Sequence, residues 1–138
     1  MAKPNLRSVL IPILSKFENT PDFLVQASRD ADRVVLLSVI DQKESVGPFG
    51  FTTNEIRVAN QLMQQISTFL SVQGKQVESV LEWGGVPQKI VQLAELNRCS
   101  HIFLVRQQNE YYKNLVQQVR LSTQIEVEEL IVPHETKK

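Results

Sequence analysis

The sequence predicts an α/β fold, a three-layer α/β/α sandwich around a mostly parallel five-stranded sheet, and three observations carry that prediction. Compact, β-branched apolar runs alternate with segments of helical period along the whole chain. Three of those runs, "RSVLIPIL" (7–14), "RVVLLSVI" (33–40) and "HIFLVR" (101–106), are almost continuously apolar, as strands covered on both faces are. No repeat or linker interrupts the order β-α-β-α-β-α-β-α-β, so residues 1–138 are expected to form one Rossmann-like domain, with right-handed crossovers between its strands.

Taken in order, the first strand is 7–14. A helix follows Pro21-Asp22, where an early proline and an acid suit a helix start, with Phe23, Leu24, Ala27 and Ala31 on its inner face. The second strand is 33–40. The stretch "DQKESVGPFGFTT" (41–53) is expected to be irregular because its glycines and proline interrupt any regular element. Thr52 and Glu55 have capping-box spacing in front of the second helix. Its stripe is Ile56, Ala59, Leu62, Met63, Ile66, Phe69 and Leu70, and Gly74 is placed to end it. "QVESVLEW" (76–83) alternates, as a strand nearer an edge does. After Pro87 a third helix carries Val86, Ile90, Leu93 and Ala94 inward; after 101–106 a fourth carries Tyr112, Leu115, Val116 and Val119. "IEVEELIV" (125–132) is the most acidic strand and the weakest signal.

Composition bounds the function. Hydrophobic residues make up 42% and charged residues 22% of the 138, the balance of a globular domain. Fifteen basic side chains offset fifteen acidic ones, so no global field draws in nucleic acid or an anionic membrane. The apolar runs are too short to span a bilayer, and "MAKPNLRS" has no apolar signal region, which leads us to expect a cytoplasmic protein. One cysteine, Cys99, allows neither an internal disulfide nor a multi-thiolate metal site.

The segment "VESVLEWGGVPQKIVQLAELNRCSHIFLV" (77–105) resembles the universal stress protein family. Gly85, Val86 and Pro87 match that family's strand-to-helix turn, Ile90 and Ala94 its helix, and Ile102 to Val105 its following strand. "SVLIPIL", "LLSVID" and "EELIVP" fall in the family's order and spacing, so the resemblance spans nearly the whole chain. It implies strand order 3-2-1-4-5 and a crevice at the carboxyl ends of the first and fourth strands. Members that bind ATP place an acid at the end of the first strand, a Gly-x-x-Gly loop after the fourth, and a later Gly-Ser or Gly-Thr.

These elements are mostly absent here. The acid aligns with Leu14, the Gly-x-x-Gly loop with "RQQN", putting Arg106 and Asn109 on the glycines, and no glycine follows Gly85. A phosphate cradle needs converging backbone N–H groups, positive φ angles and no Cβ in the way. A non-glycine residue held in the left-handed region is strained by about 1–2 kcal/mol. The expectation is a stress-response binding or regulatory module that does not bind ATP, uses no cofactor and is not an enzyme. Its alternative is a sensor of a small ligand, a nucleotide or another anion, in the crevice, formed by Leu14, Ser15, Asp41, Gly84, Gly85, Arg106 and Asn109. Arg106 either holds an anion there or snorkels out of the sheet edge and pairs with Glu110 or another acid.

Other residues read as structural. His101 opens a strand at the end of the sheet away from the crevice and His134 lies in a charged tail; neither has a nucleophile elbow to serve. No residue is assigned a catalytic or metal-binding role. Glu128 and Glu129 face opposite sides of a strand and share no substrate. Tyr111 is freer than Tyr112 to meet a ligand, and Phe49 and Phe51 either cover the crevice or meet a protein partner. The resemblance implies a homodimer through the fifth strand, at Glu126, Val127, Glu128, Glu129, Leu130 and Ile131. Any exposed edge strand invites such pairing, although its acids repel unless Arg120 or a lysine intervenes.

Overall fold

The computed structural model describes residues 7–40 and 50–132, with the backbone alone for 50–55. Its strands are β1 (Ser8–Pro12), β2 (Arg33–Ile40), β3 (Gln76–Trp83), β4 (His101–Val105) and β5 (Glu126–Leu130). Its helices are α1 (Pro21–Ser28), α2 (Gly50–Val72), α3 (Val86–Leu96) and α4 (Glu110–Ser122). All strand pairs are parallel and the order is β3-β2-β1-β4-β5, the arrangement the resemblance implies.

Side chains on successive strand residues face opposite layers, which splits the interior into two cores. Val9 and Ile11 of β1 join Phe23, Leu24, Met63, Ile66 and Leu70 under α1 and α2. Leu10 joins Ile90, Leu93, Ile102, Leu104, Leu115 and Val119 under α3 and α4. Burying each of these large apolar side chains contributes about 2 kcal/mol, and together they oppose the backbone entropy of ordering the chain. β3 is an edge strand with no fully buried residue, its positions being half-buried or exposed.

The carboxyl-end crevice has a local cause in β1. Ile13 donates its N–H to Leu37 of β2, and neighbouring residues of a parallel strand point their amides to opposite sides. Position 12 therefore addresses β4, and proline has no N–H to offer. The β1–β4 ladder accordingly pairs only Val9 with His101 and Leu10 with Ile102, while the β1–β2 ladder runs on to Pro12. Past Leu10 the two central strands part.

One local feature differs from the sequence expectation, and two others add to it. α2 begins at Gly50, inside the stretch expected to be irregular to residue 53, so Thr52 lies within the helix rather than in front of it. Extending a formed helix adds one hydrogen bond per residue without a new nucleation cost, and glycine is tolerated at its first position. A short 3-10 turn at Lys16–Glu18 follows β1. α3 ends on Arg98 at φ +54, with Cys99 N–H reaching Ala94 O and Arg98 N–H reaching Glu95 O, the pattern that Gly74 makes at the end of α2.

Candidate functional site

The crevice mouth is assembled from the turns after β1 and β4. Ser15 caps the 3-10 turn: its Oγ accepts from Phe17 N at 3.2 Å. Glu18 folds back so that Oε1 accepts from Ser15 N at 2.8 Å and from Ser15 Oγ at 3.1 Å. This is a capping box, and the spacing Ser15-x-x-Glu18 announces it in the sequence. The second carboxylate oxygen of Glu18, Oε2, has no hydrogen-bond partner among the described residues although Glu18 is 0% exposed. Burial pushes its pKa up to about 7, against the lowering effect of its hydrogen bonds to the Ser15 amide and hydroxyl. Among the described residues the carboxylate of this region is thus Glu18, beneath the turn, rather than a residue at the end of β1.

Leu14 packs against the α3/α4 core, closing that side of the mouth with apolar surface. From the far bank, Gln107 Nε2 donates to Ser15 Oγ at 3.4 Å, a bridge across the parted strands that no sequence pattern signalled. Asn109 is the N-cap of α4, its Oδ1 accepting from Tyr112 N at 2.7 Å. A helix N-terminus offers free N–H groups to an anion, and here the chain's own side chain takes one of them.

Gly84 has φ +139, a conformation that favours glycine, and ties β3 to β2 through its N–H to Ile40 O at 3.1 Å. Gly85 is the N-cap of α3 at φ −75, so its backbone would accept a side chain. Asp41 lies outside the described residues, as do Phe49 and His134, and the side chain of Phe51 is likewise undescribed.

Arg106 does not join Leu14 and Ser15. It follows Ile102 and Leu104 on the α3/α4 face of β4 and lines a groove along α4 with Tyr112, Lys113 and Arg120. Of its two expected roles, the pairing with Glu110 or another acid is not made among the described residues, where Glu110 lies 3.9 Å from Lys113. Strand parity decides this placement, because the side chain at position 106 must follow its even-numbered neighbours.

A cavity of about 550 Å³ opens on the other side of the β1 turn, between the carboxyl ends of β1 and β2 and the outer turns of α2. Ser15, Ser38, Gln61 and Gln65 give it neutral polar groups, Ile13 and Val58 apolar ones, and Lys16 its charge. Asn19 Nδ2 donates to Gln65 Oε1 at 2.8 Å, fixing the β1 turn to α2 at its rim.

The remaining candidates take structural places. His101 Nδ1 shares a hydrogen bond of 2.8 Å with Ser100 Oγ, and its ring stacks on Phe103 at 5.5 Å. Cys99 is buried, which pushes its thiol up to about 11. Glu129 faces α4 while Glu128 lines the opposite layer beside Arg7 and His101, as strand alternation requires. Tyr112 is buried and Tyr111 exposed. In β5, Glu126 is exposed, Val127 buried, and Glu128, Glu129 and Leu130 half-buried, with Ile131 exposed just beyond. Arg120 lies 2.9 Å from Glu129 within the chain. Among the described residues no cluster of three or more His, Cys, Asp or Glu is placed to hold a metal, and no helix is long and apolar enough to cross a membrane.

No family model matches this chain, and no curated protein does. Solved structures do. A universal stress protein family member from Burkholderia pseudomallei superposes with TM-score 0.71 at 13% identity, over 96% of this chain and 100% of that one. The Archaeoglobus fulgidus universal stress protein in complex with dAMP gives 0.63 at 17%, over 89% and 96%. An Arabidopsis thaliana member of the family with AMP bound gives 0.59 at 12%, over 92% of each chain. The fold of this chain is therefore the universal stress protein fold, as the sequence resemblance implied.

Proposed function

We propose that this chain is a regulatory binding module of the universal stress protein kind, without enzymatic activity and without the means to hold ATP. It acts in a cytoplasmic stress response through pairing with a second copy or through protein partners. One observation carries the reading: the ground a triphosphate would need is held by side chains. Asn109 caps α4 with its own Oδ1, and Gln107 bridges to Ser15 across the mouth. Leu14 presents apolar surface beside them. Displacing the bridge and the cap would cost hydrogen bonds of about 1 kcal/mol each before any phosphate contact formed.

Pairing is supported by the outer edge of β5, which has no strand beside it among the described residues. Arg120 and Tyr112 each bond Glu129, which reduces the like-charge repulsion that two acidic edges would otherwise meet. In sedimentation, Glu128→Arg is expected to change the dimer fraction; an unchanged monomer in both proteins would end this part of the proposal.

A second reading, a sensor of a small ligand lacking a triphosphate, is favoured by the 550 Å³ cavity beside Ser15, a volume ordinary for ligand pockets. The dAMP and AMP complexes of the structural neighbours are consistent with it. Calorimetric titration of the full chain with Mg-ATP, AMP and cyclic AMP separates the readings. The leading one expects no saturable heat with any of them at about 1 mM, a concentration at which a micromolar site would be filled. Saturation with AMP alone moves the assignment to the second reading, and saturation with Mg-ATP overturns the first.

A further inference from the structure

The groove between α4 and the β4–β5 edge carries a separate site, and we infer that it binds a small molecule through a phosphoryl or carboxylate group. The inference does not depend on whether the crevice takes a ligand. The groove encloses about 420 Å³ and, among the described residues, is lined by Arg106, Lys113 and Arg120 against one carboxylate, Glu129.

Its hydrogen bonds leave donors in surplus. Glu129 Oε1 accepts from the Tyr112 hydroxyl at 2.9 Å, and Oε2 accepts from Arg120 NH1 at 2.9 Å. Arg120 NH2 donates to Val127 O at 3.0 Å, so this arginine is clamped from both sides. Both oxygens of the only acid among the described lining residues are thus already engaged. The Arg106 guanidinium has no hydrogen-bond or ion-pair partner among the described residues, while its charge acts on the nearby Tyr112 hydroxyl. Lys113 has only the 3.9 Å approach of Glu110, and both of those side chains are exposed.

Lys113 and Gln117 are one turn apart on α4, so they face the groove together, with Arg106 at the β4 end. A guanidinium presents paired N–H groups that match two oxygens of one oxyanion, and the lysine adds a second point charge. Val116 and Leu121 continue the lining and give apolar surface to the organic part of the ligand. Ser15 and Asn109 of the crevice do not line this groove.

Backbone amide NMR of the full chain, titrated with pyrophosphate and separately with citrate, tests the site. Saturable shifts at Arg106, Lys113 and Gln117 are expected, with a dissociation constant on the order of 1 mM or tighter for at least one probe. Saturation by pyrophosphate alone assigns a phosphoryl ligand, and by citrate alone a carboxylate one. The double substitution Arg106→Gln, Lys113→Gln is at the surface and is expected to weaken binding at least about tenfold with the remaining amide spectrum unchanged. Absence of saturation with both probes, equal shifts with chloride at matched ionic strength, equal binding by the double variant, or shifts centred on Ser15 and Asn109 would each overturn the inference.

Discussion

Glu18→Gln replaces a carboxylate that folding buries completely with one oxygen unpartnered. Burial lifts its pKa from 4.5 to about 7, so the folded chain holds this proton more tightly than the unfolded chain does. Between those values the native state binds more protons than the unfolded one, and stability falls as pH rises. Glu18 therefore costs little below about pH 4.5, progressively more towards about pH 7, and a constant amount above it. At about 1.4 kcal/mol for each pH unit of that interval, the full cost is about 3 kcal/mol. Glutamine stays neutral, keeps an oxygen to accept from Ser15 N and Oγ, and mimics the protonated acid. Urea unfolding of both proteins from about pH 4 to pH 8 should show near-equal stability at the acid end and a variant more stable by about 3 kcal/mol at the basic end. Taking the difference between the two proteins cancels every other carboxylate they share. A difference that does not change with pH, or a variant less stable at about pH 8, would refute the claim that the buried charge is the cost.

Other substitutions test the local geometry. Gly84→Ala should destabilise by about 1–2 kcal/mol because its φ of +139 disfavours a side chain, whereas Gly85→Ala, at φ −75, displaces only the flexible end of Gln88 and should cost less, both measured by urea unfolding. Arg98→Gly should stabilise by roughly 0.5–1 kcal/mol in the same assay, since Arg98 sits at φ +54 where glycine carries no strain. Asn109→Ala removes the side-chain cap of α4 and should cost about 1 kcal/mol. Cys99, with its thiol near 11 and its side chain buried, should react with a thiol reagent at about pH 8 far more slowly than the unfolded chain does.

The fold was legible because it rests on signals that are local and redundant. β2 and β3 occupy the segments their apolar patterns mark, and the buried stripes of α2, α3 and α4 fall on the residues whose spacing predicts them. Two independent periods, near two and near 3.6, each sampled several times, leave little freedom about which segments are strands and which helices. The missing glycines after Gly85 were equally plain, since a residue type is read without any structure.

The crevice was legible only in part. Leu14, Ser15 and Asn109 sit at its mouth, yet the contacts that shape it come from Gln107 and Glu18, residues with ordinary polar side chains and unremarked positions. A Ser-x-x-Glu spacing foretold the cap at Ser15, but not that the glutamate would be wholly buried with one oxygen unanswered.

By itself, the sequence determined the order of elements, the two apolar cores and the loss of a glycine phosphate loop, because hydrophobic period and residue identity are properties of neighbours along the chain. Only the tertiary structure decided that Pro12 parts β1 from β4, that Gln107 reaches Ser15, and that Arg106 turns to α4. Those outcomes depend on which face of which strand meets a segment about ninety residues away, and no local pattern encodes that meeting.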